Sequence, residues 1–252
     1  MEKHLLFFDI DGTLLHRGNL IYPADIEAIR AAKAAGHEVY INTGRGRAVV
    51  YPYITDPVDF DGYICGSTYV ERHGEILHRL PLPKKTVGSI CAYCVRRGAR
   101  ALLEGETAAY SLCGGCFHEG EDVTENYAGL LLGENAPALT KVTFAAPIPP
   151  EDLGQFCDLS IRNFCGYAEG IAAGYNKAFG MRLLCEKLGI PRARTVAFGD
   201  SENDLEMLRF AGRSAIMHSA PASLDAVATY RAKRKEDGIA QAIEYFGLGG
   251  RV

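Results

Sequence analysis

The sequence predicts an α/β fold, a doubly wound parallel sheet carrying an inserted α+β domain. Three observations lead there. Strand-length apolar runs alternate with amphipathic helical stretches near both ends of the chain, the pattern of β-α-β units. The first run, Leu5-Leu6-Phe7-Phe8, is apolar at every position, as expected of a strand covered on both faces. Between residues 81 and 172 the alternation gives way to several strand-like pieces and only two helical ones. The expected organisation is a core made of residues 1–80 and 173–252 and an insert made of residues 81–172.

The first strand runs into the polar turn Asp9-Ile10-Asp11-Gly12-Thr13. A helix follows: Pro23 suits its first turn, Ile26 and Ile29 share a face, and Gly36 stands just past its end. Residues 37–42 read as a second strand, closed by Thr43-Gly44-Arg45, and residues 62–65 as a third. In the last third, residues 176–188 are helical, with Met181, Leu184, Cys185 and Leu188 on one stripe. Residues 195–198 form a strand ending at Gly199-Asp200, residues 203–211 a helix, 214–217 a strand and 237–246 a closing helix. Pro81-Leu82-Pro83 and residues 170–175 read as linkers. Between them, helices are expected at about 84–97 and 150–157, and strands at 99–103, 107–112, 139–145 and 160–165.

Composition bounds the function. The chain has 252 residues, 48% hydrophobic and 23% charged, with net charge -4. That mix is ordinary for a globular protein and offers no broad basic surface for nucleic acid or an anionic membrane. The one basic cluster, Arg231, Lys233, Arg234 and Lys235, reads as a solvated loop. No run approaches the roughly 18 apolar residues of a membrane span. Leu5–Phe8 is too short for a signal peptide and leads directly into acidic residues. The expected address is the cytoplasm, so the eight cysteines are expected to be thiols.

Each polar signal falls at the end of an expected core strand or opens a core helix. Asp9 and Asp11 follow the first strand, Thr43 and Gly44 the second, and Asp200, Asn203 and Asp204 the strand at 195–198; Lys177 opens a helix. In a parallel sheet those ends share one edge, so residues distant in sequence converge. Clustered carboxylates suit Mg²⁺. One carboxylate can act as a nucleophile and a second, two residues on, as acid and base. A hydroxyl and an ammonium can hold phosphoryl oxygens. Taken singly, each signal has a plainer alternative: a turn for Asp-x-Asp-Gly, a strand end for Thr43, a surface lysine for Lys177, a helix N-cap for residues 200–204. An EF-hand is excluded by spacing, since Leu14 and Leu20 stand where glycine and glutamate are needed.

Four stretches resemble the motifs of the haloacid dehalogenase (HAD) superfamily: Phe7-Phe8-Asp9-Ile10-Asp11-Gly12-Thr13-Leu14, Asn42-Thr43-Gly44-Arg45, Lys177, and Gly199-Asp200-Ser201-Glu202-Asn203-Asp204. The chain is most similar to the Cof-type phosphatases, with a class IIB cap between the second and third motifs on a Rossmann-like core. The resemblance implies Asp9 as nucleophile and Mg²⁺ ligand. It implies Asp11 as general acid/base, lending its main-chain carbonyl to the metal, and Asp200 as the third protein ligand. Thr43, Gly44, Lys177 and Asn203 would contact the phosphoryl group, with Asp204 behind them orienting Lys177 or a water on the metal. The implied partner is a small phosphorylated metabolite, such as a sugar phosphate or a cofactor phosphate of the pyridoxal or flavin type. Two stretches depart from the family: Cys65-Gly66-Ser67-Thr68 replaces Ser-Asn-Gly-Ala, and Met217-His218-Ser219-Ala220 replaces Met-Gly-Asn-Ala. Both bear on substrate preference rather than on the reaction.

The resemblance assigns substrate selection to the insert, with Arg96, Arg97, His118 and Arg162 as candidate contacts. Cys91-x-x-Cys94 and Cys113-x-x-Cys116 have the spacing of a zinc ribbon, but Cys91 and Cys94 fall on a helical stripe with Val87, Ile90 and Val95, where cysteine packs as a small hydrophobe. They are read as plain cysteines. Alternatives to hydrolysis are transfer to an acceptor other than water, as in phosphomutases, and a catalytically silent core that binds a phosphorylated ligand. Retention of Asp9, Asp11 and Asp200 speaks against the last.

Overall fold

The computed structural model describes residues 2–16 and 20–249. It divides into two compact units: one holds the chain up to Gly44, Tyr51–Leu77 and the chain from Asn176 on, the other Arg45–Val50 and His78–Tyr175. The first begins with parallel strands β1 (Leu5–Phe8), β2 (Glu38–Thr43) and β3 (Gly62–Cys65). Strands β4 (Tyr69–Arg72) and β5 (Glu75–Arg79) continue that sheet, β4 antiparallel to β3. Helices α1 (Pro23–Ala34) and α2 (Pro52–Thr55) lie between these strands in the chain.

The second unit opens with α3 (Lys84–Arg97). Its sheet comprises β6 (Ala101–Gly105), β7 (Ala109–Leu112), β8 (Glu121–Asp122), β9 (Leu139–Phe144), β10 (Leu159–Asn163) and β11 (Ala168–Ala172), with α4 (Tyr127–Leu132) between β8 and β9. The order is β10-β11-β9-β6-β7-β8, antiparallel except for β7–β8. The chain then returns to the first unit with α5 (Ala178–Leu188), β12 (Thr195–Gly199), α6 (Leu205–Phe210), β13 (Arg213–Ile216), β14 (Tyr230–Arg231) and α7 (Gly238–Tyr245).

The completed first sheet has the order β14-β13-β12-β1-β2-β3-β4-β5, and every pairing from β14 to β3 is parallel. Leu5 and Phe7 of β1 join Tyr40, Ile64 and Ala197 in a cluster with Met181 and Leu184 of α5 and Met207 and Leu208 of α6. Leu6 and Phe8, which alternate to the opposite face, are fully buried too, and Phe8 stacks on Phe198 at 4.4 Å. Each such side chain contributes about 1.5–3 kcal/mol on burial, so β1 is locked at the centre in one register. Phe8 stands opposite both Ile41 and Phe198, which brings the carboxyl ends of β1, β2 and β12 side by side. The chain builds one side of the sheet from β1 to β3 and returns on the other with β12 to β14. The reversal lies between β1 and β12, where sheets of this kind bind ligands.

In the second unit, Val87, Ile90, Cys91 and Cys94 of α3 pack against Ala101, Leu103, Val142 and Phe144 of the sheet. Cys116 Sγ donates to the Thr143 carbonyl at 3.2 Å, and Cys113 Sγ to that of Cys94 at 3.6 Å. Burial pushes the Cys91 thiol up to about 12 and that of Cys116 up to about 11, which favours the protonated form. Three expectations are corrected here. Val95 lies off the packed stripe of α3 and is 48% exposed. The helix at 150–157 is a 3₁₀ helix, Pro150–Phe156, entered through two prolines and carrying Gly154. Residues 170–172 are not linker but the end of β11: a Cβ on Gly170 would stand 2.8 Å from Ile161 and 2.9 Å from Val142, so the glycine marks close packing.

Candidate active site

The turn after β1 is tight. Asp9 N–H donates to Phe198 O at 3.0 Å, Leu14 N–H to Asp9 O at 3.3 Å and Leu15 N–H to Ile10 O at 2.7 Å. Gly12 has φ +91°, and a Cβ there would collide with the Asp200 carboxylate, so glycine lets the turns after β1 and β12 approach. Thr13 Oγ1 reaches Asp200 Oδ1 at 3.4 Å. Asp9 is 3% exposed at the carboxyl end of β1.

Lys177 precedes α5, and its carbonyl is held by Asn42 Nδ2 at 2.9 Å. Its ammonium donates to Asp9 Oδ1 and Asp204 Oδ1, both at 2.6 Å, in a buried setting. Asp204 is fully buried, and its other oxygen accepts from the N–H groups of Asp200 at 3.0 Å and Ser201 at 3.2 Å. That geometry is a capping box, Ser201 and Asp204 being its two partners. Asp204 therefore fixes both the lysine and the turn that carries Asp200. Asn203 accepts from Ser201 Oγ at 2.7 Å. Thr43, 1% exposed at the end of β2, accepts through its carbonyl from Gly66 N–H at 3.1 Å. The stretch after β3 is strained, Ser67 having φ +61°.

Asp9, Asp200 and Asp204 each offer an oxygen within 4.8 Å of the others. Three carboxylates face one ammonium, and the imbalance shows in their proton affinities. Burial and then the Asp204 charge hold the Asp9 carboxyl well above the usual range, against the pull of Lys177. The same two causes push Asp200 up to about 7. Burial opposes the Lys177 charge, but Asp204 and Asp9 outweigh it and raise its proton affinity. Hard oxygen donors with unbalanced negative charge fit a divalent cation such as Mg²⁺.

The structure brings together Asp9, Lys177, Asp200 and Asp204. Asp11 is exposed, and its carboxylate is outside this trio; the expectation for it as a ligand concerned its main-chain carbonyl. Asn42 and Thr13, which also lie within the motif stretches, anchor Lys177 and Asp200. Of the candidate insert contacts, Arg97 pairs with Asp152 at 2.9 Å and Arg96 donates to Gln155 at 2.6 Å, while Arg162 is exposed.

The profile of the family described as haloacid dehalogenase-like hydrolase matches residues 6–129 and 150–243. The chain is 29% identical to 5-amino-6-(5-phospho-D-ribitylamino)uracil phosphatase of Bacillus subtilis (strain 168), over 98% of this chain and 99% of that protein. It is 26% identical to pyridoxal phosphate phosphatase of Escherichia coli (strain K12), over 87% of this chain and 89% of that one. Among solved structures, a HAD subclass IIB sugar phosphatase superposes with TM-score 0.82 at 26% identity, covering 97% of this chain and 99% of the other.

Proposed function

This chain belongs to the haloacid dehalogenase-like hydrolases, and from that premise we propose a Mg²⁺-dependent hydrolysis of small phosphomonoesters through an aspartyl-phosphate on Asp9. Phosphomonoester hydrolysis is the activity of its relatives. The observation that carries the finer reading is the Asp9–Lys177–Asp204 chain of hydrogen bonds with Asp200 beside it.

Asp9 attacks the phosphorus, and the ester oxygen leaves with a proton from Asp11. Asp11 then takes a proton from water, which attacks the acyl phosphate and regenerates Asp9. Lys177 draws Asp9 toward its ionised form against burial and, with Thr43, the Gly44 backbone and Asn203, holds the phosphoryl oxygens. Asp204 keeps Lys177 aimed at Asp9. Asp9, Asp200 and the Asp11 carbonyl would hold Mg²⁺, which supplies positive charge against the repulsion between carboxylates and an anionic ester. Sugar phosphates and cofactor phosphates of the pyridoxal and flavin type are the proposed substrates, by analogy with what the relatives hydrolyse. The insert is the proposed selector among them.

No described helix is long and apolar enough to cross a membrane. The cytoplasm remains the proposed address, resting on eight free thiols. The test is hydrolysis of p-nitrophenyl phosphate with Mg²⁺, with chelator and with Asp9→Asn. The variant is expected to lose about 10⁴-fold or more in kcat. Wild-type rates in Asp9→Asn, or full activity in chelator, would sink the proposal. A panel of sugar, pyridoxal and flavin-type phosphates then ranks the substrates.

A further inference from the structure

The short strand β14 ends on Arg231, in line with the site across the sheet: Arg231 stands opposite Ile216 of β13, and Ile216 opposite Gly199 of β12. Asp200 follows Gly199 directly. Of the basic residues in this stretch, Lys233 and Lys235 are exposed, and Arg234 pairs with nearby Asp237. Arg231 reaches back instead, so it is no part of the solvated loop expected for this cluster. Its Nη1 donates to the carbonyls of Ala220 at 2.9 Å, His218 at 3.3 Å and Met217 at 3.5 Å, and its Nη2 to that of Pro221 at 3.3 Å. Nε donates to Asp225 Oδ1 at 2.8 Å, and Nη2 lies 2.7 Å from the same oxygen. A guanidinium meets so many acceptors because its five N–H donors share one fixed plane; an ammonium is a point charge on a flexible stem.

The acceptors belong to the loop that leaves β13. Met217 N–H donates to Gly199 O at 3.0 Å, so the loop starts against the strand that ends at Asp200, and Ala220 N–H turns back onto Met217 O at 3.0 Å. A 3₁₀ turn follows, Ala222–Val227, with Leu224 buried in the core and Asp225 on Arg231. Ser223 of that turn donates from Oγ to Glu202 Oε1 at 3.1 Å, and Glu202 opens the segment that holds Asn203 and Asp204. The turn carrying Asp200 is therefore tied to Thr13 on the β1 side and to Met217 and Ser223 on the β13 side. All of these groups lie in the first unit.

We infer that Arg231 is a positioning residue for the metal-binding turn: by gathering the carbonyls of loop 217–221 and the Asp225 carboxylate, it fixes the wall against which the Asp200 turn rests. The inference rests on the role proposed above for Asp200 as a ligand of Mg²⁺. That ion demands near-ideal placement of its few protein oxygens, so a small drift of one carboxylate weakens binding. Without the guanidinium, the loop carbonyls turn to water, the loop loses its single path, and the Asp200 turn is held from the β1 side alone. The signature is a weaker hold on Mg²⁺, with chemistry preserved once the metal is saturating.

The experiment titrates full-length wild type, Arg231→Met, Arg231→Lys and Lys233→Met with magnesium chloride alone in a calorimeter. It also reads Tm, and kcat for p-nitrophenyl phosphate at saturating Mg²⁺. Arg231→Met is expected to raise the Mg²⁺ Kd by about 10-fold, with kcat at saturating metal within about threefold of wild type. Arg231→Lys keeps the charge but not the planar fork, and is expected to raise Kd by about fivefold or more. Lys233→Met removes the same charge from an exposed neighbour and is expected within about twofold of wild type. A Kd within about twofold of wild type in Arg231→Met, with only Tm lowered, would reduce the residue to a structural role and overturn the inference. Full rescue by Arg231→Lys, or an equal loss in Lys233→Met, overturns it too, because charge alone would then explain the effect. If Arg231→Met does not fold, Ser223→Ala decides: it removes one exposed hydroxyl from Glu202 and is expected to raise Kd by about threefold, and an unchanged Kd overturns the inference. A wild type that takes up no Mg²⁺ overturns the proposed role of Asp200 and this inference with it. A wild type that binds Mg²⁺, with unaffected variants, overturns the inference alone.

Discussion

Each unit of this protein buries a lysine between two carboxylates, and the two triads differ in what balances them. In the first, Lys177 sits at 2.6 Å from both Asp9 and Asp204, and Asp200 adds a third acid. Acids outnumber the cation three to one there, against two to one in the second, and the carboxyls of Asp9 and Asp200 are driven upward by burial and by the Asp204 charge. In the second, Lys141 stands between Glu169 and Glu104, and Glu104 is satisfied further by Thr143 and Gly46. Burial works against the Lys141 charge, but the two glutamates outweigh it and hold its pKa at about 12. The first triad leaves negative charge uncompensated, as the proposed cation and substrate require; the second is closed on itself. A buried ion pair is thus not a site in its own right. The uncompensated charge is what distinguishes one.

Removing each lysine tests this most strongly. Lys177→Met is expected to lower kcat for an aryl phosphate by about 10²- to 10³-fold, because it removes the charge that steadies Asp9 and the phosphoryl oxygens. Lys141→Met is expected to lower stability by about 3 kcal/mol, since it strands a buried glutamate, while kcat per folded molecule stays within about threefold. Steady-state kinetics beside urea melts reads both. Equal losses of kcat would erase the distinction between the triads.

The next effect comes from the metal. Mg²⁺ at about 100 times its Kd is expected to stabilise the wild type by about 2.7 kcal/mol. Asp200→Asn is expected to abolish most of that shift, and Glu169→Gln, in the closed triad, to leave it intact. Thermal melts with and without Mg²⁺ give the answer without any turnover. A shift retained in Asp200→Asn would move the cation away from the proposed trio.

The two triads also differ in how far the sequence announces them. Asp9, Asp11, Thr43 and Asp200 lie in short stretches at the ends of apolar strands and Lys177 opens a core helix, so local pattern and topology together point to one edge. Glu104 and Lys141 carry no such mark. Glu104 follows Ala-Leu-Leu in a strand, and its partners come from β9 and from residue 46, pairings that no local pattern encodes. The same limit explains β4 and β5, which extend the sheet at an edge with half-exposed polar residues and no periodic core face. It also explains β11, whose Gly170 reads as a loop residue but fills a place with no room for a side chain. Ends of buried parallel strands are legible because burial forces an apolar run up to the proposed catalytic residue; a residue that holds another segment in place is not.

A third ionic cluster lies at the start of β2, opposite the end that carries Thr43, and supplies the smallest and cleanest contrast. Glu38 is buried, accepting from Arg72 Nη2 at 2.7 Å and Nε at 3.1 Å, and from Lys3 and the Tyr40 hydroxyl. Burial opposes its ionisation, but Arg72, Lys3 and Tyr40 outweigh it and hold its pKa at about 2, below the ordinary 4.5. For a carboxylate lowered in this way, the folded state binds fewer protons than the unfolded state between those values. The stabilisation is therefore fully present above pH 4.5 and is lost as pH falls through 2. Discounted for the solvent reaching Arg72 and Lys3, it amounts to about 2 kcal/mol. Glu38→Gln is expected to cost that much at pH 7, with activity per folded molecule unchanged. Its deficit against wild type is expected to stay level to about pH 5 and then narrow steadily toward pH 2 in denaturant melts. A deficit that persists undiminished at pH 2 would mean that Glu38 acts through packing. The charge balance that separates a closed cluster from an open site would then have no measurable counterpart in this one.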